Sequence, residues 1–68
     1  MSCRILSPRE AQCLVLLAKG LRVDAIAHSF GTDPKTVEKQ IASARVKLGA
    51  ATVPQAVAVA ISNNLLQL

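Results

Sequence analysis

The side chains best suited to chemistry in this chain lie in the stretch TDPKTVEKQIASARVKLG, residues 32–49. It carries four cations, Lys35, Lys39, Arg45 and Lys47, and a hydroxyl at Thr36. At 3.6 residues per turn, Lys35, Glu38, Lys39, Ala42 and Arg45 point outward, opposite an apolar stripe of Val37, Ile41, Ala44 and Leu48. Such a face is suited to ionic and hydrogen-bonded recognition of an anionic partner. Glu38 is discordant. It stands two residues after Thr36, where the phosphates of a nucleic acid would come close.

Elsewhere the reactive residue types do not assemble. Cys3 and Cys13 lie ten residues apart with no CxxC pair, and His28 is the one histidine, which argues against zinc. Reduced thiols fit a cytoplasmic chain, and Cys13, inside an apolar helix pattern, is expected in the core. His28 is expected at the surface. No nucleophile–base–acid set, glycine-rich phosphate loop or metal cluster can be composed, so no catalytic residue, cofactor or metal is expected and the chain reads as a non-enzyme.

The recognition face needs a scaffold, and the chain punctuates one. Ser7, Pro8 and Glu10 form a capping box with a favoured proline, and Gly20 stops the helix that follows. Leu14, Leu17 and Ala18 form its stripe, flanked by Leu6 and Leu21. A short second helix covers residues 23–29, with Arg22 at its start and Ile26, Ala27 and Phe30 as its apolar face. Gly31 makes the break. Asp33 caps a third helix over residues 34–48, with Pro34 behind it, and Gly49 ends that helix. Thr52 caps a fourth over residues 53–63; its AVAVAI run alternates like a strand, but its alanines, cap and context favour helix.

Sixty-eight residues make one small domain, burying roughly 60% of its unfolded surface and leaving little room for an enzyme site beside a core. The apolar fraction is 51%, enough for a packed core. No apolar run reaches the roughly 18–20 residues that cross a bilayer, and the start lacks a signal-peptide apolar region. No membrane partner and a cytoplasmic location are therefore expected. The net charge is +4, which favours an anionic partner. All eight Lys/Arg and all four Asp/Glu lie at or before Lys47; the remainder is uncharged.

A short helix, a glycine-containing break and a second helix with a polar outer face make a helix-turn-helix pattern. Ala27, four residues before Gly31, lets the two helices cross closely, while Ile26, Phe30 and Val37 supply their contacts. A plain small bundle satisfies the same pattern. The fold class expected is all-α, a compact four-helix helix-turn-helix domain over residues 6–68, with residues 1–5 a tail or linker remnant.

The segments LSPREAQCLVLLAKGL, IAHSF and DPKTVEKQIASARVKLGA, followed by AVAVAI, resemble the C-terminal DNA-binding domain of LuxR/FixJ-type (GerE-like) bacterial transcription regulators. The resemblance covers Leu6 to about Leu66. It implies that the third helix enters the major groove of double-stranded DNA and that the fourth often pairs domains into a homodimer. Relatives usually carry an N-terminal sensor, a phosphorylated receiver or an acyl-homoserine-lactone-binding domain. The 68 residues include no such segment, so a ligand or phosphorylation signal is expected only through a sensor outside them. Contact with RNA polymerase is a further expectation.

By resemblance, Glu38, Lys39 and Ala42 point at base edges. Lys39 can donate to guanine, and Glu38 can accept from cytosine N4. Lys35 and Thr36 are placed for phosphates at the helix N-terminus. Arg45 and Lys47 extend toward phosphate or water, and Thr52 adds a phosphate contact to its capping role. Relatives often have Lys or Arg at the positions of Glu38, Ser43 and Val46, which implies fewer phosphate contacts here. The fourth helix is apolar almost all round, so Val53, Val57, Ala60 and Ile61 are expected to pair two domains. The departures leave an alternative open: a helix-turn-helix interaction module that pairs with or inhibits a LuxR-type regulator without strong DNA binding. Glu38 either reads a cytosine, with Lys35 pairing it beforehand, or marks a helix that no longer takes DNA.

Overall fold

Three helices of this chain begin where a side-chain oxygen meets the open N–H groups of a first turn. In the computed structural model, which describes residues 5–66, the helices are α1 (Pro8–Ala18), α2 (Val23–Phe30), α3 (Pro34–Lys47) and α4 (Val53–Ser62). Ser7 accepts from the Glu10 N–H at 3.2 Å, and Glu10 accepts from the Ser7 N–H at 2.9 Å, closing the capping box. Asp33 accepts from the Thr36 N–H at 2.9 Å, and Thr52 from the Gln55 N–H at 3.2 Å. At α2 the cap position falls to Arg22, which makes no side-chain cap bond. The all-α reading holds, and AVAVAI is helical. α2 runs one residue further than expected, whereas α3 and α4 stop one residue earlier. Of the expected tail, residues 1–4 lie outside the described residues.

Gly31 makes the turn between α2 and α3 at φ +70°. Its N–H bonds to the His28 carbonyl at 3.2 Å, and the Thr32 N–H reaches back to the Ala27 carbonyl at 3.0 Å. Two carbonyls of α2 are satisfied while the chain reverses. α4 closes in the same manner with Asn64, at φ +58°, in the left-handed position.

α3 is the element around which the others pack, touching α1, α2 and α4. Val37 and Ile41 enter one core cluster with Cys13, Ile26 and Ala27. Ala44 enters a second with Leu14 and Ala60. Leu17 packs against both. The expected burial of Cys13 and Ala27 holds, and the small Ala27 lets α2 approach α3. Two expectations need correction. Ala18 is exposed, because the inward face of α1 turns on Cys13 and Leu14. Ala60 is fully enclosed against Leu14 and Ala44, so it holds α4 to its own domain and presents nothing to a second copy.

Among the described residues the buried charge is Glu10, 6% exposed. Besides closing its cap, its carboxylate accepts from the Ser43 hydroxyl at 2.7 Å and from Lys47 Nζ at 2.8 and 3.1 Å. Partners 33 and 37 residues away thus tie the start of α1 to the end of α3. Burial pushes this carboxyl up. The hydrogen bonds from Lys47, the Ser7 N–H and Ser43 outweigh that and bring it down from 4.5 to about 2.

Two stability measurements test these contacts. Gly31→Ala should cost about 1–2 kcal/mol in chemical denaturation, since a methyl there meets nothing within 4 Å and the penalty is purely that of positive φ. The depressed Glu10 pKa contributes stability that is complete above pH 4.5 and is lost as pH falls toward about 2. Glu10→Gln should therefore melt lower than the parent at pH 7, and the gap should narrow progressively below pH 4.5. A gap that is constant with pH would assign the loss to packing instead.

Candidate nucleic-acid interface

At 100° per residue, α3 divides into four sides. Val37, Ile41 and Ala44 face inward. Ser43 and Lys47 flank that stripe on the Glu10 side. Glu38 and Arg45 flank it on the other. Lys35, Lys39, Ala42 and Val46 occupy the outer side, all exposed. Of the expected outward set, Lys35, Lys39 and Ala42 lie exposed on the outer side, Glu38 is exposed on its flank, and Arg45 is half-buried on that same flank.

The front of the helix is less open to an anion than its sequence suggests. Asp33 Oδ1 takes both the Thr36 N–H and, at 3.0 Å, the Thr36 hydroxyl. These two bonds lower the Asp33 pKa and hold a carboxylate at the N-terminus of α3. Thr36 is exposed, but its donors are engaged with its own cap. Among the described residues no ion pair joins Lys35 to Glu38, contrary to the expected pairing; the Glu38 carboxylate stands in solvent.

The far end of α3 is sorted by tertiary contacts. Lys47, expected to reach phosphate or water, is bonded to Glu10. Ser43, where a cation would have widened the basic face, points to the same carboxylate. Arg45 is anchored: its Nη1 donates to the Ala50 carbonyl at 2.9 Å. Thr52 is exposed and caps α4, with its hydroxyl oxygen accepting from Gln55. Gln55 in turn accepts from the Ala51 N–H at 2.7 Å. The Thr-Val-Pro-Gln spacing of this near-capping box was there to be read.

Beside the outer face runs a groove of about 280 Å³. Glu38, Ala42 and Arg45 form its α3 wall. Leu17, Val23 and Val53 form the other, over Ile41. It brings together the starts of α2 and α4, 30 residues apart in the chain, a juxtaposition that helix periodicity does not reveal. Of the residues expected to pair two domains, Val53 borders this groove, Val57 packs half-buried against the second cluster, and Ala60 is buried. Ile61 is 41% exposed and has Ala58 exposed beside it. His28 is exposed on α2. Among the described residues no group of three His, Cys, Asp or Glu could hold a metal ion, and no helix is long and apolar enough to cross a membrane.

Comparison with known proteins bears on the same segments. The GerE family model, described as bacterial regulatory proteins, luxR family, matches residues 4–60. The transcriptional regulatory protein FixJ of Azorhizobium caulinodans is 41% identical over 56 residues, which is 82% of this chain and 26% of that protein. The chain thus spans about a quarter of the length of that relative.

Proposed function

Since this chain belongs to the luxR family of bacterial regulatory proteins, we propose that residues 6–68 form the sequence-specific DNA-binding effector domain of a transcription regulator. α3 lies in the major groove, and two copies occupy a two-fold site. The observation that carries this reading is the outer side of α3. Lys35, Lys39 and Ala42 are exposed there with Glu38 beside them, while the opposite stripe is locked into the core. Lys39 donates to a guanine edge, Glu38 accepts from a cytosine amine, and Lys35, Arg45 and Thr52 meet phosphates. Lys47, bound to Glu10, positions α3 and is left out of the contact set. A ligand or phosphorylation signal reaches it only through a sensor outside these residues, and contact with RNA polymerase and a cytoplasmic setting complete the reading.

A second reading is favoured by specific contacts. Lys47 and Ser43 turn inward, and Asp33 and Glu38 place two carboxylates along the front half of α3. A helix so equipped suits a module that pairs with a LuxR-type regulator and blocks it without strong DNA binding of its own.

Salt dependence separates the two. A domain that sets Lys35 and Arg45 on phosphates should bind duplex at ~50 mM salt with a log–log slope of about −2 per copy, near −0.9 per neutralised phosphate. Absence of binding at that ionic strength leaves the interaction module standing. Lys39→Ala should relax preference at one base pair by about 1–3 kcal/mol. Equal loss on every sequence would make Lys39 a phosphate contact.

Pairing rests on the exposed side of α4, since its other side belongs to the core. Ile61→Glu should raise the dimer dissociation constant at least about tenfold, from loss of roughly 1.5–3 kcal/mol of apolar burial. Sedimentation equilibrium reads this directly. A monomer before and after the substitution would remove α4 from the assembly.

A further inference from the structure

The lining of the groove beside α3 is almost wholly apolar: Glu38 and Arg45 join its wall, and the exposed Glu38 side chain stands beside the apolar surface of Ala42, Val23 and Val53. Two residues of its α3 wall, Glu38 and Ala42, belong to the set proposed above to face DNA. Each base offers a fixed pattern in the major groove. Cytosine offers an amine donor at C4 and no apolar group. Thymine offers a C5 methyl group but a carbonyl acceptor at C4, which would face the Glu38 carboxylate lone pair to lone pair. Cytosine methylated at C5 offers the donor and the methyl group on adjacent ring atoms. We propose that the groove formed by Glu38, Ala42 and the starts of α2 and α4 reads 5-methylcytosine in preference to cytosine and thymine.

This inference rests on the DNA-binding reading above and adds the identity of the base. Glu38 accepts the N4 amine. The methyl group passes over Ala42, one helical turn away on the same wall, and covers the apolar lining. Arg45 is held by the Ala50 carbonyl, and among the described residues its other guanidinium nitrogens bond to nothing, so they remain directed donors for the phosphate beside that base. Ala42 gains a purpose here. It makes no hydrogen bond to a base, and a larger residue would close the path to the groove.

The test uses two random-sequence duplex libraries, one synthesised with cytosine and one with 5-methylcytosine throughout, each selected on the full chain at ~50 mM salt. Every cytosine of an enriched site is then exchanged singly for 5-methylcytosine, thymine or uracil, and affinity is measured by anisotropy. The expected result is one cytosine position at which methylation raises affinity about fourfold, the worth of one buried methyl group. Thymine at that position should bind more weakly than either form of cytosine. Ala42→Ser, a change at an exposed residue, should abolish most of the methyl gain. Glu38→Gln should erase the preference for 5-methylcytosine over thymine, because an amide can also donate. An enriched site at which methylation of no cytosine raises affinity would overturn the inference and leave DNA binding intact. A methyl gain that survives both substitutions would overturn it as well. No enrichment from either library would overturn the DNA-binding reading itself.

Discussion

A single buried carboxylate organises this domain. Glu10 closes the first turn of α1 and then receives the Ser43 hydroxyl and the Lys47 ammonium from the last turns of α3. A buried charge is tolerated only when paired and fully hydrogen-bonded, and removing one partner is far more costly than the pair is worth. That asymmetry makes the contact selective. Any rotation or slide of α3 that broke it would strand a charge in a nearly closed site. Because Ser43 and Lys47 are one turn apart on α3, engaging both fixes the rotation of that helix as well as its distance from α1. The outer side, carrying Lys35, Lys39 and Ala42, is the geometric consequence.

The same contact changes what the net charge of +4 means. Lys47 is spent on Glu10, and Asp33 is held ionised at the start of α3 by the bonds that cap it. The cations left on the outer helix are few and dispersed, and Glu38 stands between Lys35 and Lys39. On the proposed DNA-binding reading, a helix of this kind gains little from nonspecific attraction. What remains is shape and directed hydrogen bonding, in which a carboxylate is an asset. Glu38 lines the groove wall, and on the proposed reading it stands apart from the phosphate contacts, which removes the apparent conflict in an otherwise basic stretch.

α4 shows a comparable division. Its apolar residues are too many for one buried stripe, and the structure distributes them. Ala56 and Ala60 are enclosed, Val53 and Val57 are half-buried against the two core clusters, and Ala58 and Ile61 face outward. The small residues are the ones that touch the core most closely, because they allow α4 to lie near α1 and α3. The outward remainder is a narrower surface than composition alone suggests.

Much of this was legible in the residues themselves. Caps, prolines and glycines marked the helix ends to within one residue, because three of the starts are set by side-chain caps and the ends of α1, α2 and α3 by positive-φ glycines just beyond them. The buried stripe of α3 followed from its 3.6-residue period for the same local reason. The sequence by itself also placed the chain in its family through LSPRE, PKTV and KLG. Contacts between distant segments were not legible. Nothing in the spacing shows that Ser43 and Lys47 meet Glu10, that Arg45 is held by Ala50, or that Val23 and Val53 face Glu38 across a groove. Nor could periodicity tell that Ala60 is interior while Ile61, its neighbour, is not. Those outcomes depend on how whole helices are rotated and set against one another. That is decided by the one arrangement that leaves both core clusters filled and the Glu10 charge paired, and so only the tertiary structure determined which cations remain to meet a partner.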